Sequence, residues 1–143
     1  MPAKKLTKVV AILFAALVLM TSSCSFKEAK DVSERAVSDF HDKFNAGQYH
    51  EIYAQSDSRF RTETNEPDLV TFFEAIHRKL GAFKSSSASG FFVNATTFGT
   101  QVTLTYETDF SEGKATERFD YAVSSGKALL IGYHINSPLL IIK

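Results

Sequence analysis

The hydrophobic pattern of this chain changes its period once, near Gly81, and that change restricts the fold more than any other feature. Before Gly81 the apolar residues recur every three or four positions, which is typical of amphipathic helices. After Gly81 they alternate with polar residues, which is typical of strands with one buried face. Helices followed by an antiparallel meander make an α+β fold, in which the helices pack on one face of a curved sheet.

Three helices are predicted in the first half of the chain. The first covers residues 27–44 and ends at Gly47, which suits the left-handed conformation of a helix cap. The second is a short helix at about residues 48–55. A polar connection around Phe60 then leads to a third helix, whose first turn would hold Pro67.

Four strands are predicted in the second half. The first lies within residues 83–94, and its serine-rich part is expected to be exposed and bulged. The second and third strands form a hairpin. A two-residue loop at Glu112 and Gly113 would place Glu107 opposite Arg118, which is an attractive cross-strand pair.

The turn between the third and fourth strands predicts a different kind of loop. A two-residue loop at Gly126 would turn the large side chains of the last strand towards solvent, so a three-residue loop is expected. That loop would place three apolar residues on the inner face: Leu129, Ile131 and Tyr133.

The first 24 residues are typical of an export signal. Three lysines precede an unbroken apolar run at residues 9–20, which is shorter than the roughly 20 residues that span a bilayer. Small residues follow and end at Cys24, the only cysteine. This pattern resembles a bacterial lipoprotein signal, although Thr21 stands where that family usually has an aliphatic residue. The resemblance implies cleavage after Ser23 and acylation of Cys24 with diacylglycerol and palmitate.

An ordinary signal peptide cut near Ser23, which would leave Cys24 as a free thiol, is the alternative. Removal of residues 1–23 takes away three lysines and no acidic residue, and changes the net charge from 0 to −3. Residues 24–26 would then be a short tether, and residues 27–143 a single domain. This charge gives no reason to expect nucleic-acid binding.

The order of helices and strands resembles the cystatin-like superfamily of nuclear transport factor 2 and ketosteroid isomerase, known as the NTF2-like fold. The most familiar stretches are residues 44–49, 80–84 and 130–133, which look like those of small secreted bacterial proteins of unknown function. The resemblance implies a curved sheet wrapped around the helices as a cone, with a pocket at its wide end. It implies no particular activity, because this fold carries many functions.

Three residues are the candidates for catalysis if such a pocket exists. A reaction like that of ketosteroid isomerase needs a carboxylate base and a group that stabilises the enolate. Alternation places Glu117 and Tyr106 on the inner side of the sheet, and His77 lies on the apolar side of the third helix. Strand aromatics and a histidine on an apolar face are usually structural, so the sequence favours a domain without catalysis.

Neither a metal nor a cofactor is predicted. His41, Asp42, His50 and Glu51 include potential ligands, but they lack the HxxxH or HExxH spacing of metal sites. All four are therefore expected on the polar surface of the first two helices.

The main hypothesis is a lipid-anchored protein of the cell envelope that binds a partner protein or a small apolar ligand. Ser25 follows Cys24, which in lipoproteins of Gram-negative cells implies the outer membrane, facing the periplasm. A pocket enzyme of the isomerase or dehydratase kind is the alternative, and a weak homodimer through the polar outer sheet face is the third reading. The apolar tail at residues 138–143 is expected to pack along the domain, with a partner contact as the alternative.

Overall fold

The computed structural model describes residues 25–141, so the export signal and Cys24 lie outside the described part. Helices come first and an antiparallel sheet follows, which confirms the predicted α+β class. No helix among residues 25–141 has the length and apolar character needed to cross a membrane. In chain order the elements are α1 (residues 25–45), α2 (Tyr49–Gln55), α3 (Ser58–Glu63), α4 (Glu66–Leu80), β1 (Phe83–Thr96), β2 (Gly99–Phe110), β3 (Lys114–Ser124), β4 (Lys127–Asn136) and α5 (Pro138–Ile141).

The first long helix ends, and α4 begins and ends, where the sequence indicates. Gly47 follows α1 with φ of 69°, which confirms its left-handed cap. The side chain of Asn65 caps α4 by accepting a hydrogen bond from the backbone N–H of Asp68 at 3.0 Å, and Pro67 lies in the first turn. Both helices bury one apolar stripe against the sheet.

The polar connection predicted around Phe60 is wrong, because these residues form α3. Asp57 caps this helix by accepting a hydrogen bond from the backbone N–H of Arg59 at 2.9 Å. Phe60 is buried and attaches the helix to the core. A helix of six residues is too short to show a hydrophobic period, so only its cap was visible in the sequence.

The sheet has the order β1-β2-β3-β4, and β1 and β4 are its edges. β1 is exposed along most of its length, and its pairing with β2 shifts register near Lys84 and again near Ser89. This confirms the prediction of an exposed, bulged strand. The outer edge of β1 therefore carries backbone groups that no other described strand pairs.

The β2–β3 hairpin differs from its predicted register by two residues. Glu107 lies opposite Thr116, and Arg118 lies opposite Thr105, so the predicted pairing of Glu107 with Arg118 is wrong. The turn is centred on Ser111 and Glu112, one residue earlier than predicted, and it is closed by a hydrogen bond from the N–H of Phe110 to the carbonyl of Gly113 at 2.8 Å. Since the shift is even, every inward residue of both strands stays inward.

The predicted three-residue loop between β3 and β4 is also wrong. Ser124 pairs with Lys127 across a two-residue turn, in which Ser125 and Gly126 have φ of 50° and 71°. Two successive positive φ angles are typical of a type I′ turn, whose twist matches that of a hairpin.

A bulge in β4 corrects the register that this turn creates. Tyr121 pairs with Leu130 and Asp120 pairs with Gly132, so Ile131 is an extra residue without a partner on β3. The bulge brings Tyr133 to the inner face, as predicted. Between the turn and the bulge the prediction is wrong. Leu129, which the sequence predicts on the inner face, is exposed, and Leu130 is buried instead.

Aromatic rings fill the space between the helices and the sheet. The ring of Phe40 in α1 lies 5.5 Å from that of Phe73, 5.0 Å from that of Phe119 and 4.9 Å from that of Tyr133, measured between centroids. These contacts join α1, α4, β3 and β4 in one core.

The described part of the apolar tail, residues 138–141, packs on the domain, as predicted, and forms α5, while residues 142 and 143 lie outside the described residues. Leu139 and Leu140 are partly buried against the core, and Ile141 is exposed. A methyl group on Gly113 would meet the side chain of Leu139, so the tail rests directly on the β2–β3 turn.

Candidate functional site

A buried carboxylate lies at the centre of the core. Glu117 points inward from β3, as alternation predicts, and its exposure is 0%. Its Oε1 accepts a hydrogen bond from the hydroxyl of Tyr133 at 2.6 Å. Its Oε2 accepts one from the hydroxyl of Thr108 at 2.6 Å and lies 2.8 Å from Nε2 of His41. We call these four residues the Glu117 cluster.

The cluster is assembled from one helix and three strands. Thr108 lies on β2, Glu117 on β3 and Tyr133 on β4, and all three occupy inward positions of their strands. His41 comes from α1, at a position that continues the buried stripe of this helix. Donors from three directions satisfy both oxygens of the carboxylate, which is the condition for burying such a group without a large penalty.

The prediction that His41 lies on the polar helix surface is wrong, since its exposure is 3%. Its ring stacks on that of Phe83 with 3.8 Å between centroids, and its edge contacts Phe40 and Phe119. The sequence contained the signal, because residues 37, 40, 41 and 44 share the spacing of one helix face. The other three potential ligands of that group, Asp42, His50 and Glu51, are exposed as expected.

Burial changes the titration of the tyrosines around the cluster. The pKa of Tyr133 is raised well above its ordinary value, first by burial and then by the negative charge of Glu117. Burial also raises the pKa of Tyr121 well above its ordinary value, and Tyr106 adds to this shift. Both phenols therefore stay protonated across the physiological range, and the hydroxyl of Tyr133 remains a donor to Glu117.

The predicted catalytic trio does not form one site. Tyr106 is buried directly opposite Glu117 on the neighbouring strand. His77 belongs to a different contact, because its Nδ1 lies 2.9 Å from the hydroxyl of Tyr49 and its ring packs on Phe44. The groups that hydrogen-bond to Glu117 are instead His41, Thr108 and Tyr133. Alternation along the strands is enough to predict that Thr108 and Tyr133 point inward, towards Glu117.

A small cleft opens beside the core between α1, α2 and the β3–β4 hairpin. It holds about 60 Å³, and Phe40, Tyr121 and Leu130 line its apolar side. The ion pair of Asp39 with Lys43 lies at its rim. Pockets for small organic ligands usually hold roughly 300–1,000 Å³, so this cleft has room for water molecules rather than for such a ligand.

A second feature lies on the surface, where the start of α1 meets the second half of β1. Three phenylalanines are largely exposed there: Phe26 at 44%, Phe91 at 61% and Phe92 at 65%. Together with adjacent residues they line a shallow groove of about 520 Å³. We call this surface the aromatic patch, and its members are Phe26, Lys27, Lys30, Phe91, Phe92 and Val93.

The aromatic patch carries positive charge as well as apolar area. The ammonium group of Lys30 lies 5.3 Å from the centroid of the Phe91 ring, which is within range of a cation–π interaction. The same group pairs with Glu34 at 2.5 Å. The sequence predicts a strand that includes Phe91 and Phe92, but it does not connect them with Phe26, because their common groove depends on how α1 crosses β1.

Comparison with known proteins adds no family to these observations: neither a protein-family model nor a curated protein matches this chain.

Proposed function

We propose that this chain is a lipid-anchored protein of the bacterial cell envelope whose domain is a non-catalytic interaction module. The export signal that ends at Cys24 supports the anchor, and Ser25 supports a place on the outer membrane, facing the periplasm. The order of helices and strands supports a relationship to NTF2-like domains.

The observation that carries the non-catalytic part is the closed environment of Glu117. A general base must come within hydrogen-bond distance of the proton that it removes from a substrate. The carboxylate of Glu117 has 0% exposure, and three side chains of the protein itself occupy its oxygens. These contacts support a structural role for Glu117, in which it holds α1 against the sheet.

The surface supports binding better than the interior does. Aromatic rings fill the space that a pocket would need, and the cleft beside them holds about 60 Å³. The aromatic patch, in contrast, exposes three phenylalanines around one groove. Exposed apolar patches of this kind usually mark interaction sites.

Intact-mass measurement on the full chain, expressed in a bacterial host and extracted from membranes with detergent, tests the anchor. We expect a chain that begins at Cys24 and carries the added mass of a diacylglyceryl group and an acyl chain. The variant Cys24→Ser should keep residues 1–23 and lack the lipid. A mature chain that begins near residue 24 with an unmodified thiol would contradict the anchor.

Native mass spectrometry of the same acylated chain tests the closed interior. We expect no retained small molecule, and no binding of an added steroid enone, because the core has no space for one. A ligand that binds the wild-type chain but not Glu117→Gln would instead support the isomerase-like alternative.

A further inference from the structure

We propose that the aromatic patch lies against the membrane to which the chain is anchored, with its phenylalanines in the interfacial layer and its lysines at the phosphates of anionic lipids. This inference rests on the proposed acylation of Cys24 and deepens it, because it assigns the surface of the domain that faces the bilayer.

The first argument is the cost of leaving this surface in water. Phe26, Phe91 and Phe92 are each exposed by 44% or more, and all three line one groove at the edge of the sheet. Phe91, which pairs with Leu104, faces the helix side of β1, and Phe92, which pairs with Thr103, faces the other side of this edge strand. Water around adjacent apolar rings is unfavourable, and contact with an apolar phase relieves it. The acyl-chain boundary of a bilayer is such a phase.

The second argument is the position of the anchor. Only Ser25 separates Cys24 from Phe26, and two residues of chain span at most about 7 Å. An acylated Cys24 would therefore have its Cα within about 7 Å of the Cα of Phe26. The start of α1, which carries Phe26 and Lys27, is the part of the described surface that the chain ties most closely to the proposed anchor.

The third argument is chemical. Aromatic rings with flanking lysines are the composition that proteins place at membrane interfaces, where the ring enters the headgroup region and the ammonium group stays at the phosphates. Lys27 is positioned for this beside Phe26, and Lys30 beside Phe91 would exchange its ion pair with Glu34 for a lipid phosphate. Attraction between these lysines and anionic lipids adds to the apolar contact.

The contact would fix the orientation of the domain. Residues 25–45 of α1 form a helix about 30 Å long, which leads away from the patch. At its far end Asn45 bonds to the backbone of Phe83, close to the β2–β3 turn that holds Glu112. The patch would therefore lie at the membrane while Glu112 points into the aqueous compartment.

The experiment uses the fact that the chain contains no tryptophan. Phe92→Trp places a single fluorophore in the patch, and Glu112→Trp places a matched control at the other end of the domain. Each full-length variant is expressed, extracted as the acylated chain and reconstituted in vesicles of phosphatidylethanolamine and phosphatidylglycerol with brominated acyl chains. If the ring lies at the headgroup–acyl boundary, Phe92→Trp should lose roughly half of its emission, and Glu112→Trp should lose almost none.

A second comparison removes the patch without moving the anchor. In the Phe92→Trp chain, Phe26→Ser combined with Phe91→Ser should abolish most of the quenching. Circular dichroism of the same samples shows whether the domain remains folded, which we expect because both rings are on the surface. Quenching that survives these changes in a folded chain would overturn the proposal, since the anchor alone would then explain it.

The other outcomes separate this inference from the proposed function. Equal quenching of the two tryptophans on an acylated chain overturns the membrane contact and leaves the anchor intact. Emission that is shielded in native membranes but not in lipid vesicles would assign the patch to a protein partner instead. An intact mass without lipid on Cys24 removes the anchor, and the inference falls with it.

Discussion

Nε2 of His41 lies 2.8 Å from Oε2 of Glu117, although 76 residues separate them in the chain. This contact joins the first helix to the third strand through the middle of the core. Both side chains are almost completely buried, so neither can exchange its partner for water. The contact therefore specifies how α1 lies across the sheet.

Replacement of Glu117 by alanine should lower the free energy of unfolding by about 3–5 kcal/mol, because His41, Thr108 and Tyr133 would all lose a buried partner. Urea unfolding followed by circular dichroism measures the change. Glu107→Ala is the matched control, since Glu107 lies on the exposed face and should cost no more than about 0.5 kcal/mol. Equal losses in the two variants would contradict a structural role for the cluster.

Tyr133→Phe should cost about 1.5–3 kcal/mol, because it removes a hydrogen bond to a charged group while the ring still fills its place. Tyr53→Phe, which removes a longer bond to the carbonyl of Arg61, should cost less. A double-mutant cycle with Glu117→Gln should show coupling between Tyr133 and Glu117. If the losses of unfolding free energy in the two single variants simply add in the double variant, the hydroxyl of Tyr133 does not stabilise the fold by its bond to Glu117.

The raised pKa values of Tyr121 and Tyr133 predict loss of stability in alkali. Above pH of about 10 the unfolded tyrosines release their protons while the folded ones keep them, so the folded state binds more protons and stability falls as pH rises. Tyr133→Phe should make this fall shallower. Urea unfolding at a series of pH values between about 8 and 11 tests it, and an unchanged slope would contradict the prediction.

Asp57 should stabilise the domain at neutral pH and lose this effect in acid. Hydrogen bonding from the Arg59 side chain lowers the pKa of Asp57, and the backbone N–H of Arg59 adds to this. Its contribution is present above the unfolded pKa of about 3.9 and is lost as pH falls through the lower folded value. Asp57→Ala should lower the free energy of unfolding by about 1 kcal/mol at pH 7. Asp57→Asn should keep the helix cap and make the fall of stability at acid pH shallower.

Ser125→Asn should stabilise the β3–β4 hairpin by about 0.5–1 kcal/mol, because asparagine tolerates the left-handed conformation better than serine does. Thermal unfolding measures the gain. Ser124→Asn is the control: Ser124 is an extended strand residue, where asparagine brings no benefit. A fall in stability with Ser125→Asn would show that the serine side chain has a role of its own.

The fold could be predicted because its signals are local. The change of period at Gly81, the cap at Gly47 and the alternation in β2 and β3 are each visible within a few residues, and the structure confirms each of them. The inward position of Glu117 followed from alternation in the same way.

The errors concern relations between segments. The β2–β3 register depends on which residues occupy the centre of the turn, which a turn sequence such as that around Gly113 does not determine. Helix spacing places His41 on the buried face of α1, but its contact with Glu117 depends on how α1 lies across the sheet. The aromatic patch joins Phe26 to Phe91 over a long stretch of chain, and no spacing rule reaches that far.

The bulge in β4 has a consequence for how the length of this chain can change. Ile131 is the one residue of this stretch that pairs with no residue of β3. If it were removed, the side chains from Leu130 to Tyr133 would alternate between the two faces of the sheet as in a regular strand. A deletion at this position would therefore straighten the strand and leave Tyr133 in contact with Glu117. Position 131 is therefore the place in β4 where the loss of one residue should be tolerated best.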